Sequence, residues 1–200
     1  MRGHVLPSAL LAAGLLSGTG GHGAAAFAGT PALPAALPTA PAVTTPAADH
    51  NEQDVMFARM MIPHHRQAVE MSKLAGSRAD DTRVRRLAER IEAAQAAEIR
   101  TMSGWLTAWG ERTPDESAAP AHHPMPGMMS PEEMRRLEGL SGRAFDRAFL
   151  TMMIRHHEGA VTMARDELRA GAYEPARRMA ASVVSGQSAE IKEMKRLLEQ

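Results

Sequence analysis

The apolar positions of residues 52–75 recur with the period of an α-helix, in which each residue turns by about 100°. Helix-favouring Ala, Glu, Arg and Met dominate this stretch and residues 80–109, and β-branched residues are few. We therefore predict two helices joined by a turn at Gly76-Ser77. One face of the first helix carries Phe57, Met60, His64, Ala68 and Met71.

The same pattern returns 92 residues further along the chain. Residues 54–106 align with residues 146–198 without a gap, and 19 of the 53 aligned pairs are identical. Both copies contain the segment Met-Met-Ile-x-His-His, and the face described above returns as Phe149, Met152, His156, Ala160 and Met163. The duplication predicts two similar helical hairpins.

Two such hairpins predict an all-α fold, a ferritin-like four-helix bundle built from a duplicated helical hairpin. Repeat 1 covers about residues 50–109 and repeat 2 about residues 143–200. The connection, residues 110–142, contains a short extra helix that begins at Ser130-Pro131-Glu132-Glu133. Serine suits the N-cap of this helix, proline suits its first position, and the second glutamate completes a capping box.

The first 48 residues differ from this helical pattern. Residues 1–28 have the features of a signal peptide, with Arg2 before an apolar run and small residues at a cleavage site. The run is shorter than the ~20 residues of a membrane span, and an uncleaved anchor is the alternative. Residues 29–48, rich in Ala and Pro, predict a disordered linker before a folded domain at residues 49–200. We expect export to the medium, periplasm or cell-wall space, without stable membrane insertion after signal cleavage.

Composition narrows the classes of function. The chain has 23 basic and 23 acidic side chains, and this balance argues against nucleic acid or a membrane surface as partner. It has no cysteine, which excludes disulfides, thiolate ligands and a lipoprotein anchor on an N-terminal cysteine. Methionine is frequent, with 15 residues against four phenylalanines and one tyrosine. Any sulfur ligand in this protein is therefore a thioether.

Each Met-Met-Ile-x-His-His segment brings thioethers next to imidazoles, because residues four apart on a helix have Cβ atoms about 5–6 Å apart. This ligand set favours Cu(I) and tolerates Cu(II), whereas Mg²⁺ and Ca²⁺ prefer oxygen and structural zinc usually draws on thiolates. In the alternative interpretation the methionines fill the core and the histidines are only hydrogen-bonded. The four pairs are Met60 with His64, Met61 with His65, Met152 with His156, and Met153 with His157.

Polar residues interrupt the apolar stripe on the second helix of each hairpin. They are Gln95 and Glu98 in repeat 1, and Gln187 and Glu190 in repeat 2. A carboxylate on an apolar stripe needs a partner. Either these residues form a second layer, in which each glutamate accepts the free imidazole N–H of a ligating histidine, or the glutamates pair with arginines.

The connection between the repeats is rich in further soft ligands. It contains His122, His123, Met125, Met128 and Met129, punctuated by proline and glycine. This density predicts a mobile loop that gathers metal ions, and an ordinary solvated loop is the alternative.

Together these motifs resemble a known family. The segment Phe57-x-x-Met60-Met61-Ile62-Pro63-His64-His65, the loop Met125-Pro126-Gly127-Met128-Met129 and the second His-His motif are similar to the family called domain of unknown function 305. The similarity extends over about residues 50–200 and implies a ferritin-like, exported helical protein. For some members of that family it implies copper binding linked to copper resistance. By position, it points to the four histidines of the two His-His motifs and to their neighbouring methionines.

The leading hypothesis is a copper-binding or copper-buffering protein outside the cytoplasm, with Cu(I) preferred and Cu(II) possible. One alternative is a di-metal oxidoreductase, but the Glu-x-x-His motif typical of ferritin-like centres is missing from the sequence, so we expect no enzyme. The other is a metal-free structural or adaptor bundle. Because free imidazole has a pKa of ~6.5, we also expect Cu(II) binding to collapse between about pH 7 and pH 5.

Overall fold

A computed structural model describes residues 50–115 and 125–200 of the protein. These residues form five helices and no strand: α1 (Glu52–Arg78), α2 (Thr82–Ala108), α3 (Pro131–Glu138), α4 (Gly142–Ala170) and α5 (Glu174–Leu198). The all-helical class and the short helix between the repeats agree with the sequence predictions. The predicted signal peptide, the linker, His122 and His123 lie outside the described residues. Within the described ranges, none of the helices has the length and apolarity to cross a membrane.

The four long helices pack as two hairpins. The helices α1 and α2 pack along each other, α4 and α5 do the same, and α1 packs against α4 to join the hairpins. The helices α2 and α5 meet only slightly, so α1 and α4 form the centre of the bundle. The first helix of each repeat, which carries the His-His motif, therefore lies at the centre of the bundle.

The predicted turn at Gly76-Ser77 is wrong, because α1 continues through both residues to Arg78. The turn occupies residues 79–81, where the backbone N–H groups of Asp80 and Asp81 donate to the Asp146 carboxylate at 3.2 and 2.9 Å. A side chain from the other hairpin therefore caps the turn before α2, whose own N-cap is Asp81. The local glycine did not end the helix because this long-range cap lies further along the chain.

The other hairpin repeats this arrangement. The Asp54 carboxylate accepts hydrogen bonds from the N–H groups of Ala172 and Tyr173, at 3.2 and 3.0 Å, where α5 begins. Asp54 and Asp146 are 92 residues apart, and so are the backbone groups that they cap. The beginning of the first helix of each hairpin thus caps the turn of the other hairpin.

A polar layer divides the apolar interior into two cores. The Phe145 core contains the second half of α1, the first half of α4 and the facing parts of α2 and α5; its members include Met71, Leu87, Ile91, Phe145, Phe149, Met153 and Met194. The Phe57 core contains the opposite halves; its members include Phe57, Met61, Ile62, Met102, Met163 and Val183. The residues between the cores form a polar layer that we call the waist: His64, His65, Gln95, Glu98, His156, His157, Gln187 and Glu190.

Candidate metal site

Four histidines meet at the waist, in the middle of the bundle. His64, His65, His156 and His157 are all fully buried, with no exposed surface. The rings of His64 and His156 lie face to face across the α1–α4 contact, with centroids 3.7 Å apart and planes tilted by 36°. Each of these rings lies 6.4 Å from the next histidine of its own helix. We call His64 and His156 the axial pair, and His65 and His157 the outer pair.

Each outer histidine is held by a glutamate of its own hairpin. The Nε2 atom of His65 lies 2.8 Å from a carboxylate oxygen of Glu98, and the same distance separates His157 from Glu190. The glutamate side chains are 23% and 24% exposed, so each carboxylate reaches from solvent to a buried ring. In the structure these glutamates therefore pair with histidines, not with arginines as in the alternative prediction. A carboxylate oxygen accepts, so Nε2–H donates, and the Nδ1 atom of each outer ring has no hydrogen-bond partner in the described residues.

The axial pair is not symmetrical. The Nε2–H of His64 donates to the carbonyl oxygen of Pro126 at 3.1 Å, and a carbonyl can only accept. His64 therefore also presents a free lone pair on Nδ1. Neither ring nitrogen of His156 has a hydrogen-bond partner among residues 50–115 and 125–200.

Burial keeps the axial pair neutral. Desolvation, followed by the neighbouring His65 and His157, lowers the pKa of His64 to about 3, against the opposing effect of the Pro126 carbonyl. Desolvation also lowers the pKa of His156 well below its usual value, with the other waist histidines adding to the shift. His64 is therefore unprotonated at pH 5, and the pKa of His156 is shifted in the same direction. The expected loss of Cu(II) binding between pH 7 and pH 5 does not follow for His64, because no proton competes for its ring there.

The paired methionines lie in the apolar cores on either side of the waist. Met61 and Met153 are fully buried, one helical turn from His65 and His157. Met60 and Met152 are partly buried and pack against the edges of the cores. All four lie one helical turn from a waist histidine in positions that also suit core packing, so their function as ligands stays a prediction.

The two glutamines contribute buried amide oxygens to the waist. The side-chain oxygens of Gln95 and Gln187 are buried, and neither has a hydrogen-bond partner in the described residues. The side chains are 3% and 5% exposed. A second-layer function for them stays a prediction, whereas the glutamates do contact the outer rings.

Part of the predicted metal-gathering loop lies on the waist. Residues 125–129, here called the strap, contain a turn in which the Met128 N–H donates to the Met125 carbonyl. Met125 and Met128 are partly buried, and Met129 is 4% exposed and belongs to the Phe145 core. The structure therefore places Met129 in the interior instead of in a mobile loop.

Sequence reasoning missed the partner of His64 and the residues that hold the strap. Pro126 contributes a backbone carbonyl from 62 residues away, which no side-chain pattern signals. One signal was available: Gln67 on α1 aligns with Gly159 on α4, inside a stretch where the repeats otherwise agree closely. Such a mismatch marks a position where the two hairpins have different neighbours.

The donor set of the waist fits a soft metal ion better than a hard one. In the described residues, no group of three or more His, Asp or Glu side chains is arranged to hold a metal ion. The available donors are imidazole nitrogens with thioethers nearby. Cu(I) prefers soft donors of this kind and needs only a few of them. Five buried imidazole nitrogens have no hydrogen-bond partner within these ranges: the four Nδ1 atoms and Nε2 of His156. A buried polar atom without a partner is costly, and a bound cation would supply the missing interaction.

The fold and the site together define a class of protein: an all-helical bundle of two hairpins with a buried histidine layer at its centre. Within that class, the chain belongs to the family described as Domain of unknown function (DUF305), whose model matches residues 54–198. The resemblance seen in the sequence motifs is thereby confirmed. No individually curated protein matches the chain.

Several solved structures have a similar fold. A DUF305 protein from Streptomyces coelicolor is 37% identical with a TM-score of 0.68, over 74% of this chain and 91% of that one. A DUF305 fragment from Deinococcus radiodurans is 36% identical with a TM-score of 0.67, over 74% and 97%. The protein CopM in its Cu(II)-bound form is 31% identical with a TM-score of 0.65, over 73% and 95%.

Proposed function

We propose that this protein binds copper through the waist histidines, with Cu(I) as the preferred ion and Cu(II) as a possible one. One observation carries the proposal: five imidazole nitrogens are buried in the described part of the bundle without a hydrogen-bond partner. A protein that used these histidines only for packing would be more stable with leucine at the same positions. A soft cation between them removes the cost of burying them.

The chemistry of the neighbours selects the ion. Imidazole nitrogen and thioether sulfur are the donors that favour Cu(I) over Mg²⁺, Ca²⁺ and, without thiolates, structural Zn²⁺. Glu98 and Glu190 accept the Nε2–H of the outer rings, which orients Nδ1 and raises its basicity. Each outer ring thus has the carboxylate partner that metal-ligating histidines commonly have.

The relatives support the same ligand class. CopM has been solved with Cu(II), Cu(I) and silver bound, and Ag(I) is a soft ion with chemistry close to that of Cu(I). For the present chain we propose copper binding or buffering outside the cytoplasm. The proposal of export rests on the signal-like residues 1–28.

We further propose that the fold is ferritin-like and that it arose by duplication of one hairpin. The matched caps of Asp54 and Asp146 support the duplication. A di-metal oxidoreductase gains no support, because Glu98 and Glu190 each contact one histidine instead of bridging a common point. We therefore propose a binding protein with no catalytic activity.

Metal analysis of untagged protein separates these functions. The protein is incubated anaerobically with equal amounts of Cu(I), Zn²⁺ and Fe²⁺, passed through a desalting column and analysed for all three metals. Retention of copper alone is the expected result. Retention of iron or zinc in preference to copper contradicts the proposal, and iron alone of these two favours the oxidoreductase, because Zn²⁺ has no redox chemistry. Retention of none favours a metal-free bundle.

A further inference from the structure

The strap lies on one side of the axial pair and is held by residues that differ between the repeats. Gln67 on α1 and Gly159 on α4 occupy the same repeat position, 92 residues apart. Gln67 contacts the strap with its side chain, whereas Gly159 faces the strap and has no side chain.

Gln67 holds the strap by its backbone. The side-chain nitrogen of Gln67 donates to the Met129 carbonyl at 2.9 Å, and the side-chain oxygen accepts from the Met129 N–H at 2.7 Å. One amide group therefore satisfies both polar groups of a single buried residue. Only a primary amide side chain offers a donor and an acceptor in this arrangement.

Gly159 leaves the space that the strap needs. A Cβ atom at Gly159 would overlap the carbonyl oxygen of Pro126, so no other residue fits there without moving the strap. On the strap itself, Gly127 has a φ angle of 80° and lies against the carbonyl oxygens of Arg155 and His156. The backbones of the strap and α4 are in direct contact because both positions lack a side chain.

This docking decides which nitrogen of His64 carries the proton. The Pro126 carbonyl that would overlap a side chain at position 159 is the same group that accepts from Nε2–H of His64. The only strap described in the structure lies between the repeats, and His156 has no equivalent partner among the described residues. The correspondence between the two hairpins is therefore broken at the axial pair.

We propose that Gln67 and Gly159 are positioning residues that dock the strap, hold His64 in the Nε2–H tautomer, and so present its Nδ1 atom to a soft cation. His156 stays free to use either nitrogen. The part of this inference that concerns metal rests on the proposed function, whereas the part that concerns the tautomer does not.

The test compares Gly159→Ala with Gly186→Ala. Both replace a helical glycine, but a Cβ at position 186 meets nothing within 4 Å. Long-range proton–nitrogen NMR spectra of the metal-free proteins report the tautomer of each histidine ring. We expect a single Nε2–H tautomer for His64 in the wild type and in Gly186→Ala, and a mixture of tautomers in Gly159→Ala. An unchanged His64 signal in a folded Gly159→Ala protein overturns the inference, whether or not the protein binds copper.

A second readout uses Ag(I), which is stable in air. Loss of an outer partner of a ligating histidine typically weakens metal binding by about tenfold or more. We expect about tenfold weaker Ag(I) binding in Gln67→Ala and in Gly159→Ala, and no further large loss in the double variant, because both residues act through the same strap. Additive losses overturn the inference. A wild type that binds no Ag(I) or Cu(I) contradicts the proposed function instead, and the tautomer measurement still stands.

Discussion

The two hairpins agree at the residues that close the bundle and at the outer histidines, and they differ around the axial pair. His65 with Glu98 and His157 with Glu190 have the same 2.8 Å hydrogen bond. The caps made by Asp54 and Asp146 are equally well matched. The matched contacts hold the helices and turns of the bundle together. The contacts that differ are those made with the strap, which is described only between the repeats.

A second difference lies at the end of the bundle where Asp54 caps the turn before α5. Glu167 on α4 is fully buried there, and the aligned residue in repeat 1 is Ala75. Burial first, and then the neighbouring carboxylate of Asp54, raise the pKa of Glu167 to about 8. Burial alone would raise the pKa of Asp54, but the neighbouring Glu167 and the backbone N–H donors of Asn51, Tyr173 and Ala172 lower it. At neutral pH, therefore, Glu167 is protonated and Asp54 is ionised.

Removing the two caps should have the largest effect on stability. Each unsatisfied buried N–H group costs roughly 1–3 kcal/mol. We expect Asp146→Ala to lower the free energy of unfolding by about 2 kcal/mol and Asp54→Ala by about 3 kcal/mol, because Asp54 also accepts from the backbone N–H of Asn51, the N-cap residue of α1. Urea unfolding at pH 6 measures both, with Asp146→Asn as the control that keeps one acceptor oxygen. A larger loss in Asp146→Ala than in Asp54→Ala would show that the extra contacts of Asp54 contribute nothing.

The outer pair should respond equally in the two hairpins. Replacing Glu98 or Glu190 with glutamine removes the charge that supports Nδ1 of the outer histidine. We expect each change to weaken Cu(I) binding by about tenfold, or about 1.4 kcal/mol. Competition with a Cu(I) chelator measures the affinity of each variant. A loss in only one of the two would mean that the hairpins are not equivalent at the outer pair, despite their identical geometry.

The smallest predicted effect is a pH dependence of stability that comes from Glu167, on the second hairpin only. The pKa of Glu167 is about 8 in the folded protein against an ordinary value of 4.5, so the folded state holds this proton more tightly. Its contribution to stability is complete below about pH 4.5 and is lost as the pH rises towards 8. Between pH 6 and pH 7 the wild type should lose about 1 kcal/mol from this group.

Two variants of Glu167 sharpen that prediction. Glu167→Gln should remove this slope, and Glu167→Ala, which copies the Ala75 of repeat 1, should remove it too while leaving a small cavity. Chemical unfolding of the three proteins at both pH values gives the slopes. The same slope in Glu167→Gln as in the wild type would assign the pH dependence to other groups.

Much of the fold could be read from the residues because the repeat and the helical period are local or self-matching signals. The 92-residue offset predicted two hairpins, and Ser130-Pro131-Glu132-Glu133 predicted the start of α3. The turn at Gly76-Ser77 was wrong because a helix tolerates an exposed glycine, and the cap that ends the hairpin comes from Asp146. A contact between residues this far apart leaves no local pattern.

The candidate site, like the fold, could be predicted from the sequence only where the signal is local. The spacing of the two motifs predicted Met/His neighbours within one helix, and the helical wheel placed His64 and His156 on corresponding faces. It could not predict that these two rings would meet at 3.7 Å, because that depends on how α1 crosses α4. It also could not predict the depressed pKa of the axial pair, which follows from complete burial.

The most direct measurement of the central claim is a Cu(I) competition titration of the wild type against the double variant His64→Ala/His156→Ala. The matched control is His50→Ala, since His50 stacks on Trp109 with centroids 4.4 Å apart and lies outside the waist. Circular dichroism checks that each variant is helical. We predict that the double variant binds Cu(I) at least about a hundredfold more weakly than the wild type, which is about 2.7 kcal/mol, and that His50→Ala binds normally. A folded double variant with unchanged affinity would contradict the assignment of copper binding to the waist.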